Sequence, residues 1–252
     1  VAVYDDLLAV AEAKGAGYLV LLDPDKQQPA ETKEMAVAAQ EAGADALLVG
    51  GSLLLTNRFD ETVEAVAEVA SVPVIIFPGS PRQVCSYADA ILFLSLVSGR
   101  NATHLIGDQV VSAPLIKEVG IEPIATGYIL VESGRMTSAE FMSNTLPIPR
   151  HKPDIAKAHA LAAEYLGMKL VYLEAGSGAQ YPVPDEMVRE VADYVSIPVI
   201  VGGGIRTPEE AHRKVRSGAR FVVTGNVLEG KGGQRLLREF AQAIHWKEAQ
   251  PA

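Results

Sequence analysis

The chain has one cysteine, Cys85, in 252 residues, a single tryptophan, and only 6% aromatic residues of any kind. A lone thiol excludes an intramolecular disulfide and any metal site built from several cysteines. Basic residues are also short: 22 Lys and Arg stand against 31 Asp and Glu, for a formal net charge of −9. That balance argues against nucleic acid or an anionic membrane surface as the main partner. It also means that a phosphate ligand must be held by local N–H groups or a metal, because the overall field repels it. No uncharged apolar run is long enough to span a membrane. No signal peptide is expected where Asp5 and Asp6 come so early, and the expected location is cytoplasmic. The Asn101-Ala102-Thr103 glycosylation match is then read as accidental. The five histidines are scattered, without metal-ligand spacing.

What the chain does have is a repeated design. KLVYLEAGSG, residues 169–178, starts as an apolar run and ends in a carboxylate, Glu174, followed by small residues. Consecutive apolar residues fit a strand buried on both faces, as in a parallel sheet. Gly176, Ser177 and Gly178 can then turn backbone N–H groups toward a ligand. PVIVGGGIRT (198–207) and FVVTGN (221–226) repeat the pattern, each strand ending in glycine and each followed by a helical pattern. Three consecutive strands ending this way read as a phosphate cradle.

The rest of the chain alternates in the same manner. Strands are expected at 18–22, 46–49, 72–77, 90–94, 122–126 and 170–173, then within the two glycine-ended stretches. Helices are expected at 4–14, 30–41, 61–70, 113–118, 155–166, 186–194, 208–217 and 234–246. Residues 80–88 are short and contain Pro81, so no helix is assigned there. Eight strands with intervening helices, 48% apolar content and no linker predict one α/β domain over 1–252, a (β/α)8 TIM barrel. An open doubly wound sheet usually needs fewer strands.

In such barrels the chemistry sits at the C-terminal ends of the strands, with phosphate after strands seven and eight. The polar residues expected there are Asp23, Asp25, Lys26, Ser52, Tyr128, Glu174, Ser177 and Asn226, with His104 and His151 as weaker loop candidates. Gly202 to Thr207 lacks the last glycine of a dinucleotide fingerprint, and Gly225 to Gly232 ends in glycine where a P-loop needs Ser or Thr; neither motif is accepted. Lys169 starts its strand, on the wrong face for a Schiff base.

LDPDK, VGGS, YLEAGSG, VGGGIRT and VTGN, in that order and at these spacings, resemble the geranylgeranylglyceryl phosphate synthase family of prenyltransferases. The resemblance runs from Tyr18 to Asn226, and the stretch 95–114 looks like the branch found in many archaea and some bacteria. It implies a modified barrel whose third helix is replaced. It implies transfer of a geranylgeranyl group from geranylgeranyl diphosphate to the 3-hydroxyl of sn-glycerol 1-phosphate, with Mg2+ required, in a homo-oligomer, a dimer or hexamer. Residue by residue, Asp23 and Ser52 match the family's magnesium positions. Tyr172, Leu173, Glu174, Ala175, Gly176, Ser177, Gly178, Gly203, Gly204, Gly225 and Asn226 match its glycerol phosphate contacts. One carboxylate and one hydroxyl suit magnesium, which binds few protein oxygens plus substrate phosphates. Some members carry a lysine two residues before the first aspartate; here it is Leu21, so backbone donors must do more.

Glu174 is assigned to the glycerol hydroxyls and to accepting the proton, Tyr128 to the hydroxyl network, and Arg100 to the diphosphate. The prenyl tail needs an apolar groove, which a missing third helix offers. Alternatives are a different prenyl length, such as heptaprenyl, a thiamine phosphate synthase-like transferase, or a non-catalytic phosphate-binding barrel. The last would have no use for Asp23, Ser52 and Glu174 together.

Overall fold

The computed structural model describes residues 2–225 and 233–247. Within them eight parallel strands close into a barrel in chain order, β1 pairing with β8. The strands are β1 Gly17–Leu22, β2 Ala46–Val49, β3 Val74–Ile76, β4 Ala90–Leu96, β5 Glu122–Leu130, β6 Leu170–Glu174, β7 Val199–Gly202 and β8 Phe221–Thr224. The helices are α1 Val3–Lys14, α2 Pro29–Glu41, α3 Phe59–Ala67, α4 Asp108–Val119, α5 Ser138–Ser143, α6 Pro153–Tyr165, α7 Asp185–Ala192, α8 Pro208–Arg216 and α9 Gly233–Ile244.

The apolar runs of the sequence are explained by two cores. Alternate residues of each strand point into the barrel, where Leu19, Leu48, Leu92, Ile124 and Ile200 pack with Leu7 and Ala11 of α1. The intervening residues, such as Val20, Leu47, Val171 and Val222, pack outward under the helices. At the base Asp45 accepts hydrogen bonds from Tyr18 N (2.7 Å), Lys14 Nζ (2.8 Å) and His245 Nε2 (2.8 Å). This buried carboxylate ties β1, α1 and the residue after α9 to one point.

Beyond shifts of a few residues at element ends, three elements differ from the sequence expectation. Strand β5 runs four residues beyond Thr126, to Leu130. Gly127 reads as a strand end, yet it serves close packing: a Cβ there would lie 2.6 Å from Ala163 Cβ on α6. Helix α4 starts at Asp108, preceded by a π-helical turn, Thr103–Gly107, and passes through Pro114. The sequence expectation begins this helix only at Ala113, five residues later. The short α5 was not expected; Thr137 caps it, accepting from Glu140 N at 3.4 Å.

The expected gap after β3 is present. Residues 77–89 contain no helix and cross the barrel flank as a strap. Gln83 pins it, donating from Nε2 to Gly51 O (2.9 Å) and accepting from Gly79 N at Oε1 (3.2 Å). The contact is tight, since a Cβ on Gly79 would stand 2.2 Å from Gly51 O.

Candidate active site

Strand parity places the central carboxylate. Leu170 and Tyr172 point into the barrel, so Glu174, two residues further, does as well. Glu174 is 5% exposed, and its Oε1 accepts from Gly176 N at 2.5 Å. Burial pushes its pKa up from 4.5 to about 7, while the Gly176 N–H and the nearby Tyr172 hydroxyl pull it back. The glycines of β7 make room for it. A Cβ on Gly202 would stand 3.0 Å from Glu174 Oε2 and 2.3 Å from Tyr172 Oη, and one on Gly203 would stand 2.2 Å from Glu174 Oε1.

Three rings form the layer around this carboxylate. Phe77 stacks on Tyr172 with centroids 5.2 Å apart, and Tyr128 meets both edge-on, at 5.9 and 5.4 Å. Burial, and then the Glu174 charge, hold both phenols well above their ordinary pKa. Tyr172 Oη is close enough to feel that charge, yet among the described residues it completes no hydrogen bond of sound geometry. An orphaned buried hydroxyl costs stability and is well placed to bind a ligand. Tyr128 belongs to this layer because β5 is longer than expected.

From Glu174 a groove of about 350 Å3 leads away over the barrel rim. It passes Leu94 and Leu96, then runs down the outside of β4 past Phe93 and Ile91, between the strap (Pro81, Val84) and α4 (Asp108, Ser112). A helix after β3 would fill that flank. Its wall is mostly apolar, interrupted by His104, whose Nδ1 lies 2.9 Å from Asp108 Oδ2.

The loops after β6 and β7 close the other end. Gly176, Ser177, Gly178, Gly203, Gly204 and Gly225 all line the groove. Gly204 lines the groove and also serves packing between loops, since a Cβ there would meet the Tyr181 carbonyl and Pro182 N at 2.9–3.0 Å. Gly204, with φ +71°, is thus where the β7 loop packs on the β6 loop.

On the opposite side, Asp23 follows β1 and Ser52 follows β2. Asp23 Oδ1 accepts from Asp25 N (3.1 Å), and Lys26 Nζ lies 3.9 Å from Oδ2. A Cβ on Gly51 would stand 3.4 Å from Asp23 Oδ1, which sets the carboxylate against the turn after β2 that carries Ser52. Among the described residues no group of three His, Cys, Asp or Glu side chains could hold a metal. The pair fits magnesium, whose remaining ligands are water and substrate oxygens.

Not every expected residue reaches the groove. Arg100 is exposed and turned aside, donating from Nη1 to the Gly99 carbonyl at 2.8 Å with Nη2 3.3 Å from His159 Nε2. Leu173 packs in the outer core, so only its main chain can serve the site, and Ala175 is likewise buried among apolar groups. Asp25 accepts from Thr56 N (3.2 Å) and Thr56 Oγ1 (2.6 Å), which makes it a loop brace. His151 is exposed away from the groove. Asn226 lies outside the described residues. Phe77 and Gln109 line the site although the sequence reading missed both. Phe77 carried the signal of strand parity, whereas nothing marked Gln109.

A closed parallel barrel with a buried glutamate, glycine-rich loops after strands six to eight and an apolar side groove defines a (β/α)8 enzyme for a phosphorylated substrate with an apolar part. The chain belongs to the PcrB family, whose model matches residues 9–244. It is 47% identical over 235 residues to a geranylgeranylglyceryl phosphate synthase of Chitinophaga pinensis, covering 93% of this chain and 92% of that one. It is equally 47% identical to the Thermococcus kodakarensis enzyme of that name, over 90% of each chain. The crystal structure of (S)-3-O-geranylgeranylglyceryl phosphate synthase from Thermoplasma acidophilum with its substrate sn-glycerol-1-phosphate superposes with a TM-score of 0.93 at 36% identity, covering 98% of this chain and 99% of that one. A Pyrococcus furiosus thiamine phosphate pyrophosphorylase shares the fold alone, at 14% identity and a TM-score of 0.61 over 95% and 98% of the chains.

Proposed function

We infer that this protein transfers a geranylgeranyl group from geranylgeranyl diphosphate to the 3-hydroxyl of sn-glycerol 1-phosphate, the activity for which its relatives are named. The observation that carries this reading is one continuous space, polar and glycine-lined at Glu174, apolar along the flank of β4. A thiamine phosphate synthase-like barrel has no use for the second part. The glycerol phosphate is assigned to the loops at Gly176–Gly178 and Gly203–Gly204, which brings its hydroxyls to Glu174 and Tyr172. The prenyl tail is assigned to the flank groove. In the reaction the bond between C1 and the diphosphate oxygen breaks with its electron pair leaving on the diphosphate. The glycerol oxygen bonds to C1, and its proton passes to Glu174. Holding the two partners side by side supplies much of the rate.

Asp23 and Ser52 would hold magnesium, which offsets the charge of the departing diphosphate. Ile106, Val110, Val111 and Leu115, exposed on the π turn and α4, support a homo-oligomer, a dimer or hexamer. The same reading keeps a cytoplasmic location. No described helix is long and apolar enough to cross a membrane.

Incubation with labelled sn-glycerol 1-phosphate, Mg2+ and prenyl diphosphates of graded length is expected to move label into an organic-extractable lipid, best with the geranylgeranyl donor. Absence of product at every length would remove the reading. A second expected result concerns the cradle. Gly204→Val should weaken glycerol phosphate binding on the order of a hundredfold, about 2.7 kcal/mol, by pushing the Tyr181–Pro182 main chain and with it the loop that starts at Gly176. Calorimetry on a folded variant that finds parental affinity would refute this coupling.

A further inference from the structure

Three arginines from separate segments converge on one stretch of main chain. Arg206, beyond β7, donates from Nη2 to the Ala179 carbonyl (2.7 Å) and from Nη1 to the Gln180 carbonyl (3.0 Å). Arg135, beyond β5, donates from Nε to the Gly178 carbonyl at 2.6 Å, and its Nη2 bonds the same oxygen. Arg150 donates from Nη1 to the Pro182 carbonyl at 2.7 Å, with its guanidinium 5.3 Å over the Tyr181 ring. The carbonyls of residues 178, 179, 180 and 182 are thus all held by guanidinium groups.

This arrangement answers a physical difficulty. The segment Gly176-Ser177-Gly178-Ala179 has almost no side chain by which to hold its own shape. Glycine loses more freedom on ordering than any other residue, and a loop that orders only on binding loses affinity to that entropy. Planar forks on its carbonyls fix the peptides from outside before a ligand arrives. The charges also matter. Among the described residues, the guanidinium groups of Arg135 and Arg206 form no ion pair; both bond neutral carbonyls. Two guanidinium charges that bond only neutral carbonyls therefore flank this loop in a chain of net charge −9; the Glu210 carboxylate accepts from Arg206 N at 2.7 Å, and Arg206 itself lines the groove.

We propose that Arg206 and Arg135 are positioning residues for the anionic end of the substrate: they hold the 178–180 peptides in the ligand-ready shape and set a local positive field. The proposal rests on the reading that sn-glycerol 1-phosphate binds at this loop. Arg206→Gln is expected to raise the dissociation constant and KM for sn-glycerol 1-phosphate about tenfold, leaving kcat at saturation within about twofold and the melting temperature unchanged. Amide hydrogen exchange across 176–180 of the free protein should quicken. Arg206→Lys, which keeps the charge but cannot fork across two carbonyls, should recover less than half of the lost binding energy. Arg135→Gln, acting from the other side of the loop, should reproduce the weakening independently. Parental affinity in both glutamine variants would overturn the proposal, and so would full recovery by lysine with unaltered exchange, which leaves charge alone. If the parent protein binds no sn-glycerol 1-phosphate in the same calorimeter, the proposed function itself fails, a result distinct from a parent that binds and variants that bind equally.

Discussion

Glu174→Gln is expected to lower kcat by 10²–10⁴-fold, the usual range for loss of a general base, while making the protein more stable above neutral pH. Both effects follow from one cause. Burial raises the Glu174 pKa from 4.5 to about 7, so the charged form costs free energy in the folded state. Below about pH 4.5 the carboxyl is protonated in both folded and unfolded chains and nothing is lost. As the pH rises through 7 the folded protein must ionise it, and the cost reaches about 3 kcal/mol. The neutral amide escapes that cost, so the variant should melt higher at pH 8 and close to the parent at pH 4.5. For the parent, kcat/KM should climb with pH to a plateau above about 7. In the variant that limb should vanish, leaving only the substrate's own phosphate ionisation near pH ~6. Activity within about tenfold of the parent, or an unchanged limb, would take the proton-accepting role away from Glu174.

Asp23→Ala is expected to reduce turnover on the order of 10³-fold, about 4 kcal/mol of barrier, and to leave sn-glycerol 1-phosphate binding within about threefold. The carboxylate lies against Gly51, beside Ser52, whereas the glycerol phosphate is assigned to the loops of β6 and β7. Two charges of the leaving diphosphate would then go unneutralised, while the acceptor keeps its contacts. Calorimetry separates the two: the Mg2+-dependent part of prenyl diphosphate binding should disappear in the variant. Equal loss of glycerol phosphate affinity would instead make Asp23 a part of the acceptor site or of the fold.

Much of this was legible in the chain itself because barrel strands are buried on both faces and their ends carry the chemistry. Once 170–174 is a strand with Leu170 inside, the inward course of Tyr172 and Glu174 follows from a period of two. The missing helix after β3 was legible too, as a short stretch around Pro81 poorly suited to a helix and as what the family resemblance implies. Legibility failed where one residue type has two uses. Gly127 reads as a strand end but lets α6 approach, which hid that Tyr128 is a strand residue. Gly204 reads as phosphate space, and it lines the groove, but its missing side chain also lets the β7 loop meet the β6 loop, a use that no motif announces. Arg100 and Arg206 are equally charged and equally close to strand ends, yet only Arg206 lines the groove, a matter of local loop shape. The polar wall of His104, Asp108 and Gln109 depends on a π-helical turn that no spacing rule announces.

The open flank of β4 changes how a long, oily molecule comes and goes. In a barrel with all its outer helices, a twenty-carbon tail would have to thread end-first through the mouth, and the opening would set the tempo. With the prenyl tail assigned to the furrow between the strap and α4, it would be laid in and peeled out along the flank and not threaded through the mouth. Departure is then governed by re-wetting the chain, at about 0.8 kcal/mol for each buried CH2, and not by a moving door. Each added isoprene unit lengthens the stay of the finished lipid more than it hinders the arrival of the donor, so the slow event in the cycle shifts toward product release as tails grow.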